Sequence, residues 1–403
     1  MAKKQEKTEN FFANNIFMYD SYCCEGQIVD AYLYPGECPE KALKIKADAQ
    51  KPIRFAFASK AGLVRINEDG SIAESNLLGK LLAIKSTKIE NYLPFFERNG
   101  FLFPILTDSY ETITSVELQA ISGRLCATLE LMSTITDMSR TSYEKIARLI
   151  FYHLFSPVVE VEVKDGKFKY RSSHHSYTQL LDNADMMKRD DKLNDIFNNE
   201  EFSFNDSVGS ISINAEFIDT MLSGKPPEDK YDNDLFMRVL TTYCSPRDSL
   251  SAKNRLYNDF IFRYMFEVGI VDHVDLENIY YYKDEVNKGN YSAELKKAAV
   301  KIAKLIIRDE IDLNLRRVRP TYNIDKLEPA WRIDSLLSAL YFGLFYMRPG
   351  IEIYRRCANP KCGEYFLVSV SSQKKKYCCK ACMSRDMQAR HRAKVKKTES
   401  AMK

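Results

Sequence analysis

Histidine and tryptophan are scarce in this 403-residue chain, which has five of the first and one of the second. The histidines stand at 153, 174, 175, 273 and 391, and no spacing among them suggests a general base or a hydrolytic site. Adjacent His174 and His175 would point to opposite sides of an extended segment, which suits a shared metal poorly. Also missing are a phosphate-binding loop, a dinucleotide fingerprint, a Gly-x-Ser-x-Gly elbow and a His-Glu-x-x-His helix. These gaps make an enzyme the minority reading, although a site assembled in space from distant residues stays open. Long apolar runs are lacking too. The longest, Leu336 to Met347, is interrupted by Ser338 and Gly343 and falls short of the roughly 20 residues that span a bilayer, so no membrane role is expected. Met1 to Asn10 is charged and polar with no apolar run behind it, so no secretory signal is expected and the cytoplasm is the anticipated compartment. In that reducing setting the ten cysteines read as thiols or metal ligands, and disulfides are not expected.

What the chain does have is concentrated at its C-terminal end. Five of the ten cysteines fall within the last 53 residues, four of them in the pattern Cys357-x4-Cys362-x15-Cys378-x3-Cys382. Two closely spaced pairs can each supply two thiolates from one tight turn, and two such turns close a tetrahedral site. Zinc is the expected ion, because paired knuckles in Lys- and Arg-rich sequence hold zinc more often than an iron–sulfur cluster. A four-ligand site needs only one of the neighbours Cys378 and Cys379. The aromatic Tyr377 before it and a small residue after it favour Cys378, with Cys379-x2-Cys382 left open. Locally, Gly363 suits the knuckle turn, and Tyr365 to Val370 alternate as a short strand. Ser371 to Gln373 suit a turn, Lys374 to Tyr377 are expected to return as a second strand, and a helix should run from Ala381 to about Lys397. The result would be treble-clef-like.

The residues Arg356-Cys357-Ala358-Asn359-Pro360-Lys361-Cys362-Gly363, Phe366, Tyr377-Cys378, Cys382 and Arg385 resemble the bacterial zinc finger named for a Cys-Gly-Asn-Arg signature, CGNR, found at the C-terminus of transcription regulators. Here the signature reads Cys382-Met383-Ser384-Arg385, and the second gap is one residue shorter than in that family. The likeness covers about 40 of the 403 residues. It implies zinc and nucleic acid as a class, with DNA favoured over RNA.

Charge agrees with that implication. From Ser371 onward eleven Lys or Arg stand against Asp386 and Glu399, a local charge of +9, which leaves −5 for the rest of a chain whose net charge is +4. A mildly acidic body with a basic end suits a protein that touches phosphate through one region. The candidate contacts are Lys374, Lys375 and Lys376 before the helix and Arg385, Arg390, Arg392 and Lys396 on it. Arg385, Arg392 and Lys396 lie at i, i+7 and i+11 on one helical face, and Arg390 flanks that stripe.

The rest of the chain reads as mixed. With 45% hydrophobic and 12% aromatic residues it can fill a core of its own. Ile28 to Tyr34 suit a strand, as do Ile53 to Ala58 and Leu63 to Ile66 before the turn at Asn67-Glu68-Asp69-Gly70. Val116 to Asp137 repeats apolar residues at helical spacing, and Ser142 caps a second helix to Phe155. Val158 to Arg171 suits a hairpin turning at Asp165-Gly166. Helices follow at Leu235 to Tyr243, Leu256 to Val268, Ser292 to Arg308 and Pro329 to Met347.

The expected architecture is therefore α+β: a tail at 1–10, an α+β part at 11–181, an irregular junction at 182–230, a helical part at 231–350 and the finger at 351–403. The function it suggests is a DNA-binding regulator whose body senses a ligand or forms a homo-oligomer. A protein-docking finger, an RNA-binding protein and, more remotely, an enzyme acting on nucleic acid are the alternatives.

Overall fold

The computed structural model describes residues 16–31, 39–58, 61–84, 88–105, 110–136, 142–156, 159–163, 168–172, 177, 202–213, 216, 235–244, 250–282, 287, 289, 291–324, 327–348, 350–372 and 374–401. The fold is mixed α+β, as the patterning leads one to expect. It divides into two compact units, one of Met1–Leu129, Val159–Tyr170 and Ile311–Lys403, the other of Glu130–Val158 and Arg171–Glu310.

A seven-stranded sheet organises the first unit. Strands β1 (Ile16–Ala31) and β2 (Glu40–Ala58) make a long antiparallel ribbon with register shifts between Tyr19 and Cys24. At one end of the ribbon, Arg54 to Ala58 of β2 pair with β3 (Gly62–Ile66), which carries β4 (Ile72–Glu74). On the other side, Phe17 to Tyr19 of β1 pair in parallel with β13 (Glu328–Ile333), and β12 (Arg319–Asn323) forms the outer edge. At the far end of the ribbon, Ala42 to Ile45 pair with β5 (Glu111–Thr114).

Alternation along β2 explains its two buried faces. Ile53, Phe55 and Phe57 point to one side, while Ala56 and Ala58 join Val64 and Ile66 in a small cluster on the other. Helices α1 (Leu77–Ala83), α2 (Leu93–Asn99) and α3 (Ser115–Thr136) follow, the last continuing into the second unit. Helix α8 (Leu336–Tyr346) is capped by Ser335, whose hydroxyl accepts from the Ser338 N–H at 3.1 Å. Gly343 lets α8 lie close on β3, since a Cβ there would sit 3.3 Å from that of Leu63. Strands β6 (Glu160–Val163) and β7 (Phe168–Arg171) pair as the expected hairpin, whose Asp165-Gly166 turn lies outside the described residues.

The second unit is built on α4 (Tyr143–Phe155), α5 (Leu235–Cys244), α6 (Ala252–Glu267) and α7 (Ala293–Leu315). Ser142 caps α4 as its sequence implies, accepting from the Lys145 N–H at 3.2 Å. Two small hairpins accompany the helices: β8 (Phe202–Asn205) with β9 (Ser210–Ile213), and β10 (Val271–Val274) with β11 (Ile279–Tyr281). Asp206 holds the first turn by accepting from the Val208 and Gly209 N–H groups at 2.7 and 2.9 Å, and Tyr243 donates to its other oxygen at 3.0 Å.

Two local expectations are corrected. Pro329 to Met347 is not one helix: β13 occupies its first part, because Trp331 and Ile333 alternate with Ala330 and Arg332, and α8 starts only after the Ser335 cap. Lys374 to Tyr377 form no strand, since three successive lysines offer no apolar face to pair. The hairpin partner lies instead before the first cysteine: β14 (Glu352–Arg356) pairs with β15 (Tyr365–Ser369). His174, His175 and most of 182–230 fall outside the described residues.

Candidate metal centre and basic helix

The first knuckle follows from its own sequence. The Cys362 N–H bonds to the Asn359 carbonyl at 2.9 Å, closing a turn with Pro360 at its second position, while the Asn359 side chain accepts from the Lys361 N–H at 3.1 Å. Gly363 then takes φ 66°, a left-handed conformation that a side chain would strain. Two further bonds fix the knuckle in place, Cys357 N–H to the Glu364 carbonyl at 2.9 Å and Ala358 N–H to that of Lys376 at 2.9 Å.

The second pair sits at the start of α9 (Lys380–Ala401). The Cys379 thiol accepts from the Cys382 N–H, the bond an N-cap residue makes three positions into its helix, and this bond holds the thiol below its ordinary pKa. Cys379 is thereby exposed at the helix start, and the thiol facing the first knuckle is that of Cys378.

Cys357, Cys362, Cys378 and Cys382 place their sulfurs within 4.8 Å of one another, a group that could hold a metal ion. Cys362 and Cys378 are 3.7 Å apart, and Cys378 and Cys382 are 3.5 Å apart. A tetrahedron with bonds of about 2.3 Å has edges of about 3.8 Å, so the donor spacing fits a four-thiolate ion. Electrostatics points the same way. Burial resists ionisation of Cys357, yet N–H groups of Cys378 and Asn359 directed at its sulfur outweigh it and hold the thiol below its usual value. Burial, with the neighbouring sulfurs, drives Cys378 far above the usual value, and burial foremost pushes Cys382 up to about 11. Sulfurs this close carry a full set of negative charges only around a cation.

A small core backs the cluster: Ile353, Phe366 and Val368 are buried against Cys357 and Cys382. The opposite face of the same hairpin packs on the sheet unit. Tyr354 is buried, with its hydroxyl lying where a Cβ on Gly62 of β3 would stand 2.3 Å away. Tyr365 is buried beside α1, where a Cβ on Gly79 would lie 1.8 Å from its carbonyl oxygen. Asn76, at φ 55° ahead of α1, donates to the Glu364 carboxylate at 2.6 Å and to the Tyr365 carbonyl at 2.7 Å.

The basic residues project from this frame. Lys374, Lys375 and Lys376 are exposed on the segment that leads into the second knuckle, Lys375 with its ammonium 5.3 Å from the Phe366 ring centre. Arg385 and Arg392 are exposed on α9, while the Lys396 side chain lies outside the described residues. Arg390 is also exposed but bonds Asp386 at 2.8 Å. Asp386, read from sequence only as a charge, is buried, and the Tyr377 hydroxyl donates to it at 2.7 Å. It ties α9 to the residue before Cys378. The one sequence cue is an acidic residue inside a basic helix, four positions ahead of Arg390.

Among the described residues no helix is long and apolar enough to cross a membrane. Comparison with family models, with curated proteins and with solved structures finds no match to this chain.

Proposed function

We propose that residues 351–403 form a zinc finger of the CGNR type that binds nucleic acid, DNA before RNA, in a cytoplasmic regulator. One observation carries this reading: four convergent thiols fix the start of a 22-residue helix whose exposed residues include Arg385, Arg390 and Arg392. All-thiolate donors in a closed set favour zinc in a structural role. Such a helix extends about 33 Å, and its charges are aimed because its first turn is pinned by metal. Phosphate contacts come from the lysine run and the α9 arginines, and the body serves ligand sensing or self-association.

A salt-titrated binding assay against duplex DNA, RNA and a no-nucleic-acid control tests the reading. With about five phosphates neutralised, the logarithmic slope should be near −4.5, so affinity should fall roughly 500-fold between 50 and 200 mM salt. Replacing Lys394, Lys396 and Lys397 together should flatten the slope while zinc stays bound. A second reading, docking to an acidic protein, draws on Met383 and Met387, which stand exposed one turn apart on the same helix. No affinity for either nucleic acid would favour it.

A further inference from the structure

The hairpin of β12 and β13 has two chemically different faces. Its register sets Arg319 opposite Arg332 and Thr321 opposite Ala330 on one face, and Pro320 opposite Trp331 and Tyr322 opposite Pro329 on the other. The second face is continuous with α8. Trp331 meets Phe342 edge-on at 5.2 Å, and Phe345 stacks with Phe342 at 5.8 Å. Tyr322 and Phe345 nonetheless remain 57% and 56% exposed, and at the hairpin tip Ile324 and Leu327 are 82% and 71% exposed.

The tip is also shaped at a cost. Leu327 adopts φ 52°, a conformation that glycine or asparagine takes with less strain, and the Tyr322 hydroxyl braces it by donating to the Leu327 carbonyl at 2.7 Å. A leucine at this position, with its side chain in solvent, is placed to contact a partner.

We propose that this face is a self-association surface on which two copies of the chain pack hairpin to hairpin about a two-fold axis. β12 is the outer strand of the sheet, but Pro320, its second residue, has no N–H to extend the ladder, so a partner is directed onto the face. The face residues Pro320, Tyr322, Pro329 and Trp331 are uncharged, so a polyanion finds no cation among them. Among these four residues a two-fold brings no like charges together. Four large side chains more than half exposed, together with Trp331 and the prolines, offer several hundred Å² of apolar surface. That approaches the roughly 800 Å² per partner of a standard interface.

Sedimentation of the full chain tests this without nucleic acid. The wild type should show a concentration-dependent dimer. Ile324→Ser with Phe345→Ser should weaken association about 100-fold or more, because a two-fold interface carries each change twice. Leu327→Gly separates association from folding. Glycine relieves the strain, so this variant should melt no lower than the wild type and still dimerise more weakly. Ile72→Ser, at another exposed isoleucine, should leave the dimer unchanged. The proposal is overturned by a wild type that stays monomeric at every concentration, or by a dimer that Leu327→Gly and the double variant leave intact. A monomer that binds phosphatidylserine vesicles through these side chains overturns it too.

Discussion

Replacing Gly79 by alanine should loosen the C-terminal hairpin from the sheet unit without touching the cysteines. The added methyl would lie 1.8 Å from the Tyr365 carbonyl oxygen and 2.4 Å from the Asn76 amide nitrogen, so α1 or β15 must retreat by more than an ångström. Overpacking of this kind costs about 1–3 kcal/mol. The retreat also breaks the two Asn76 bonds, worth about 1 kcal/mol for the carbonyl and about 2 for the charged Glu364 carboxylate. Helix propensity returns about 1 kcal/mol in favour of alanine. The net loss is about 3–5 kcal/mol, or on the order of 10 °C in the melting of a unit this size. Calorimetry measures the shift, and metal analysis should find metal content unchanged, because both knuckles close on their own bonds. Gly70→Ala is the control, since its φ of 79° disfavours alanine but nothing lies within 4 Å. Gly79→Ala with a melting temperature no lower than the control's would refute the close packing of α1 on β15.

Other expectations follow from the same frame. Single Cys→Ser variants at 357, 362, 378 and 382 should each lose the metal while Cys379→Ser keeps it; metal analysis with the opposite result at 378 and 379 would move the ligand by one position. Chelation should expose residues beyond Cys357 to limited proteolysis and spare β14, whose Tyr354 is held by the sheet unit, so cleavage throughout β1 to β5 would count against this picture. Asp386→Ala should remove the acceptor of the Tyr377 hydroxyl and the partner of Arg390, seen as faster hydrogen exchange in the first turns of α9 with metal content unchanged.

The four-cysteine group was legible in the sequence because ligand spacing is local, and so was the helix that follows it. Spacing alone fits Cys378 and Cys379 equally; what separates them is that the sulfur of Cys378 lies within 4.8 Å of the other three while Cys379 is exposed outside that group. Strand β14 carries no such local signal. Ile353 faces the cysteines and Tyr354 faces the sheet unit, so both positions are buried and the usual apolar–polar alternation never forms. In β13 the alternation is present but runs straight into the apolar α8, so the two together resemble one helix in pattern. The parallel pairing of Phe17 with Trp331 joins residues from opposite ends of the chain, and no local pattern announces such a contact. Asp386 likewise gains its meaning only from the tyrosine and arginine that close over it.

The two-sided burial of the β14–β15 hairpin bears on how the C-terminal region can be handled. A fragment cut at Ile351 would carry the four thiols and the whole of α9, yet it would present Tyr354, Tyr365 and Leu367 to water, side chains that are nearly inaccessible in the full chain. Metal could still fold its knuckles, but the naked flank would invite aggregation. Transplanting these residues onto another protein therefore requires either a matching bed, with glycines where Gly62 and Gly79 stand, or polar replacements along that flank. What looks from its cysteines like a detachable tag is half of a joint.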